Sequence, residues 1–177
     1  MSQLLSWLRR MNERLAVIAG LLLLASVTVT ILDIIARRVG LSLGGTDEFS
    51  GYAMAISTSW GISYALTCMA HVRIDLLRAK AAPAGRALFD AIAILSLAGT
   101  ALVIGYRVWP VLAKTLKSGA TANTPLETPL WIPQSLWFAG WAWFAVSAVI
   151  IALAVILHIA GRKFDAVDEI AGVRTEV

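Results

Sequence analysis

The sequence predicts an all-α integral membrane protein: a four-helix bundle preceded by an N-terminal interfacial amphipathic helix, with both termini cytoplasmic. Three observations carry that prediction. Of 177 residues, 59% are hydrophobic and only 15% are charged, against about 45–50% and about 25% in an ordinary soluble domain. The apolar residues gather into four stretches, 15–36, 49–70, 91–112 and 134–160, each near the roughly 20 residues needed to cross a hydrocarbon core of about 30 Å. Lysine and arginine are divided unevenly between the two sets of connections. In lipid the backbone must satisfy its own hydrogen bonds, so such stretches are helices. The length leaves no room for a large catalytic head outside the membrane.

Residues 1–14 repeat Leu4, Leu8, Met11 and Leu15 at three- and four-residue spacing, with Leu5 and Trp7 beside that stripe and Arg9, Arg10, Asn12 and Glu13 opposite. Such a segment is expected to lie in the membrane interface, with Trp7 at headgroup depth. The apolar run that follows continues to Ala36, longer than the core of a signal peptide. Gly40, Gly44 and Gly45 break the chain before the second span, and Pro83 and Gly85 before the third. Gly119, Pro125, Pro129 and Pro133 mark the connection to the fourth. Residues 161–177, with Asp165, Asp168, Glu169 and Glu176, read as a solvated cytoplasmic tail.

Arg9, Arg10, Arg14, Arg73, Arg78, Lys80, Arg86, Arg162, Lys163 and Arg174 fall on one side of these spans. Arg37, Arg38, Arg107, Lys114 and Lys117 fall on the other. The richer side is cytoplasmic by the positive-inside rule. The net charge of +4 is thus explained by topology and by attraction to membrane lipid headgroups, and nucleic acid is not an expected partner.

An ionisable group inside a span is expensive and marks function by default. Asp33 lies about 27 Å along the first span and Arg107 about 24 Å along the third, so both are expected at similar outer depth as a candidate intramembrane ion pair. The span centres otherwise hold small polar groups such as Ser26, Thr28, Ser57, Thr58, Ser59, Ser63 and Ser96. A carrier driven by protons or sodium places carboxylates or unwound helix at the midplane, which makes this chain a poor autonomous pump. The two histidines, His71 and His158, stand at span ends, too few for a dihaem anchor. A lone Cys68 makes neither an internal disulfide nor a thiolate metal site. No catalytic, cofactor or metal site is expected. Trp109, Trp131, Trp137 and Trp141 form an outer aromatic belt. Trp137 and Trp141 share a helix face and, with mid-span Trp60, are candidates for packing against a partner helix.

The segment from Asp33 to Leu77 reads D-I-I-A-R-R-V, then T-D-E-F-S-G-Y, then A-L-T-C-M-A-H-V-R-I-D-L-L, and Thr128 to Gln134 reads T-P-L-W-I-P-Q. These stretches resemble the small membrane subunit of tripartite ATP-independent periplasmic (TRAP) transporters, the DctQ type. His71, Arg73 and Asp75 carry the most specific part of the resemblance, supported by Glu48 and Pro133. The resemblance implies a bacterial inner-membrane complex with two partners: a large multi-span carrier subunit, holding substrate and sodium sites, and a periplasmic substrate-binding protein that delivers an organic acid. The small subunit would scaffold the large one. His71, Arg73, Asp75 and Pro133 are then structural, and Arg37, Arg38, Asp47 and Glu48 form a candidate docking surface for the binding protein. A free-standing small membrane carrier and a redox membrane anchor are the competing readings.

Overall fold

The computed structural model describes residues 2–41, 44–70, 78, 80–124 and 126–172. They form α1 (Ser2–Arg38), α2 (Thr46–Thr67), α3 (Pro83–Ser118), α4 (Trp131–Ala160) and α5 (Phe164–Ala171). Among the described residues there is no strand, only an isolated antiparallel bridge between Thr121 and Pro129.

α1 is one uninterrupted helix of 37 residues, about 55 Å long. The boundary expected between residues 14 and 15 is therefore not a break, because nothing from Met11 to Leu15 is a glycine or proline. Of the expected interfacial stripe, Leu8 is fully buried whereas Leu4 is 45% exposed. α3 also outruns its expected span, covering 36 residues. Pro83 begins it where a missing N–H costs nothing. Gly119, at φ 61°, ends it with its N–H on the Thr115 carbonyl. Pro110 is accommodated inside it.

α1, α3 and α4 are long and apolar enough to cross a membrane; α2, at 22 residues, has the length to cross but a more polar composition. Four apolar spans were expected; the second is more polar than the others because its stretch carries Ser50, Ser57, Thr58, Ser59 and Ser63. Its acidic first turn suits the positive end of the helix dipole. Its hydroxyls are used inward: Ser57 donates to the Ala19 carbonyl of α1 at 3.0 Å, and Ser59 to its own helix at Ile56.

The helices pack as a row, α1 on α2, α2 on α4 and α4 on α3, with no extensive packing of α1 on α3. α1 and α2 are antiparallel, since Asp33 meets Thr46, Ala19 meets Ser57 and Asn12 meets Ser63. α2 and α4 run parallel and approach closely at Gly140, where an added Cβ would lie 2.9 Å from the Ser59 backbone. The main core lies between α3 and α4, around Ile94, Ala98, Phe144, Ile151 and Val155. Val167 and Ala171 of α5 close its inner end. The tail was expected to be solvated; instead Phe164, Val167, Ile170 and Ala171 recur on one face and dock against α3 and α4.

Candidate functional site

At the end where α1 finishes and α2 begins, the one expected to face outward, Asp33 is 1% exposed. It accepts from Arg37 Nε at 2.7 Å and from Thr46 Oγ1 at 2.8 Å. The expected pair with Arg107 is not brought together. α1 and α3 stand at opposite ends of the row, Arg107 is exposed, and the carboxylate is claimed by a cation one turn along its own helix. Glu48 stands at the head of α2, before the apolar stretch begins at Phe49. It accepts from Tyr52 Oη at 2.7 Å and from Thr124 Oγ1 of the α3–α4 connection. Those hydrogen bonds, Thr124's first, hold its carboxyl below the ordinary carboxylate range. That connection is pinned by Ala122 N–H on Thr128 O at 2.9 Å and by Leu130 N–H on Ala120 O at 3.1 Å. Of the four docking candidates, Arg37 and Glu48 thus have partners within the chain, while Arg38 and Asp47 are exposed.

The tryptophans proposed for partner packing largely serve the α2–α4 seam. Trp60 donates its indole N–H to the Leu136 carbonyl of α4 at 3.0 Å, the acceptor a mid-span indole needs. Trp137 is half-buried beside Tyr52, Ala55 and Pro133. Trp141 meets Phe144 edge-on at 6.1 Å, and its buried indole nitrogen makes no hydrogen bond. Pro133 is buried in the first turn of α4. The apolar surface left outward includes Val17, Ile18, Leu21 and Leu24 of α1, Leu102 and Val103 of α3, and Val146, Leu153 and Leu157 of α4.

At the opposite end, the one expected to face inward, two polar clusters appear that the sequence reading did not single out. Asp90, 2% exposed, receives both Nε and Nη2 of Arg78 at 2.9 Å. The same guanidinium reaches Asp168 of α5. Hydrogen bonding to Asp90, with Asp168 and the charge of both, raises the Arg78 pKa above its already high ordinary value. Asn12, fully buried, donates to the Ser63 carbonyl at 3.1 Å and accepts from Trp143 Nε1 at 2.6 Å. Trp7 lies edge-on to Trp143 at 6.1 Å. An acid just ahead of a span and an asparagine one residue past an apolar stripe were the available signals, but neither names a partner. His158 Nδ1 sits 2.7 Å from the Ala154 carbonyl. His71, Arg73 and Asp75 lie outside the described residues.

Between these two ends, residues 15–32, 49–67, 91–106 and 131–157 contain no Asp, Glu, Lys, Arg or His. Among the described residues no group of three or more His, Cys, Asp or Glu is placed to hold a metal. The charged groups are therefore confined to the ends of the array, while its middle is tied by neutral hydrogen bonds such as Ser57 to Ala19 and Trp60 to Leu136.

Residues 26–162 match the family model described as tripartite ATP-independent periplasmic transporters, DctQ component. The chain belongs to this DctQ family. The match begins within α1 and ends just ahead of α5. No curated protein and no solved structure matches the chain. DctQ is a transporter component rather than an enzyme family. The outer and inner polar clusters therefore belong to the small component of a TRAP transporter.

Proposed function

We propose that this chain is the scaffolding subunit of a TRAP-type secondary transporter in the bacterial inner membrane. It packs beside a large carrier subunit during sodium-coupled uptake of an organic acid delivered by a periplasmic binding protein. Membership of the DctQ family supports the transport role. The observation that carries the division of labour is the mid-membrane composition. Four central stretches without an Asp, Glu, Lys, Arg or His have nothing with which to bind an anion or couple an ion, a task for which carriers use charged or unwound midplane segments.

In this reading all four long helices cross the membrane and both termini are cytoplasmic. α2 crosses between α1 and α4 with Ser57, Ser59 and Ser63 buried. The outward apolar residues of α1 and α3 face lipid or the large subunit. Exposed Arg38 and Asp47 are the part of the outer surface open to the binding protein.

Co-expression with a large TRAP carrier subunit from the same organism tests the proposal. A stoichiometric complex that transports only when both subunits are present supports it. Uptake into liposomes by this chain alone, or a Soret band in the purified protein, would replace it with a carrier or a redox anchor.

A further inference from the structure

Near the outer end, a groove of about 300 Å³ opens between α2, the start of α4 and the α3–α4 connection, with Leu22 of α1 at its edge. Its walls are apolar, including Phe49, Ala53, Ile56, Ile132 and Leu136. Glu48, Tyr52 and Thr128 stand among the lining residues at its outer end.

We propose that this groove holds one acyl chain of a phospholipid whose headgroup bears a primary ammonium, and that the ammonium pairs with Glu48. The site rests on the membrane placement of α2, not on the transport role. Lipid tails are as apolar as the groove walls, so filling it with a chain gains packing but no selectivity. Selectivity has to come from the headgroup. Glu48 is the charged group at the mouth, and its hydroxyl donors hold it ionised. No lysine or arginine among the described residues forms a salt bridge with it; the described ion pairs go to Asp33, Asp90 and Asp168. Tyr52 and Thr124 occupy one position on each carboxylate oxygen and Thr128 is a third hydroxyl donor to it, which leaves one of the about four acceptor positions of a carboxylate. An ammonium therefore finds both charge and an acceptor, whereas a net-negative headgroup is repelled.

Native mass spectrometry of the full chain in detergent tests this. Phosphatidylethanolamine and phosphatidylglycerol with identical acyl chains are offered at equal concentration. The ethanolamine lipid is expected to be retained roughly fivefold better, as an interfacial ion pair of about 1 kcal/mol gives. Glu48→Gln is expected to bring the two to parity. Ile132→Trp, which fills the groove from its exposed side, is expected to lower retention of both. Equal retention by the unaltered chain overturns the proposal, as does a preference that survives Glu48→Gln or retention indifferent to Ile132→Trp. Because the readout is lipid on this chain alone, its failure leaves the co-assembly test untouched.

Discussion

Trp143 donates its indole N–H to Asn12 across 131 positions of sequence, at 2.6 Å. Asn12 in turn donates to the Ser63 carbonyl, so one buried amide joins α1, α2 and α4. Asn12→Ala leaves the Trp143 N–H buried without its acceptor, at a cost of about 1–3 kcal/mol. The expected result is a lower melting temperature in detergent, while an exposed control such as Arg10→Ala leaves it unchanged. An unaltered melting temperature for Asn12→Ala would show that the amide carries no part of this junction.

The Arg78–Asp90 pair is expected to behave as a buried unit. Arg78→Met leaves Asp90 charged in a closed site and costs about 3–5 kcal/mol, whereas removing both partners costs less. Arg78→Met combined with Asp90→Leu should therefore be more stable than Arg78→Met alone. Limited proteolysis after residue 163 reads the same event, because the Arg78 contact to Asp168 holds α5. Since the Arg78 pKa is raised above its ordinary value, its contribution is fully present below that ordinary value and is lost only as pH rises through the folded value. Raising the pH from about 7 to about 10 is expected not to deprotonate Arg78 or release α5 by that route.

Gly140 sets the distance between α2 and α4. Gly140→Ala drives a methyl group against Ser59, and overpacking of this kind costs about 1–3 kcal/mol. Ser59→Gly is expected to recover part of that loss, because the Ser59 side chain contributes two of the three close contacts. A double-mutant cycle on thermal stability checks this, and strictly additive effects would contradict it.

Acid is expected to loosen the α3–α4 connection. The Glu48 carboxyl is held below its ordinary value of 4.5. The stabilisation is thus present at neutral pH and is lost as pH falls through the depressed folded value. The hydrogen-exchange protection factor over 119–130, in which the intrinsic pH dependence of exchange is divided out, should fall in the unaltered chain as the pH drops below the ordinary carboxylate range. In Glu48→Gln the protection factor should no longer depend on pH in that range.

Arg38→Glu with Asp47→Lys is expected to leave assembly with the large subunit intact while lowering uptake several-fold, since electrostatic complementarity acts mainly on encounter and register. Both side chains are exposed, so a folding defect is not anticipated. Unchanged uptake would remove the outer surface as a docking face.

Much of the fold was legible because helix formation in lipid is a local matter. A run such as 134–160 must satisfy its own backbone whatever surrounds it, and α4 duly covers Trp131–Ala160. Helix ends were less legible. α3 extends beyond its apolar run in both directions because neither Arg86 nor Lys114 stops a helix, and Gly119 does. α5 was missed because a helix of 8 residues is not stable by itself; it exists through the contacts of Val167 and Ala171. Asp33 was identified as one half of a candidate ion pair near the outer boundary, but its partner was assigned by depth alone, and depth does not say which helices are neighbours.

The sequence by itself determined the all-helical membrane character, the uncharged span centres and the family resemblance, each carried by composition or by short contiguous motifs. The tertiary structure alone decided the row α1–α2–α4–α3, and with it every polar pairing between helices: Asp33 with Thr46, Asn12 with Trp143, Glu48 with Thr124. The physical reason is that lipid-facing and protein-facing apolar residues look alike in a sequence. Which faces meet is settled by small residues that admit close approach, such as Gly140 against Ser59, and by buried polar groups that require a partner.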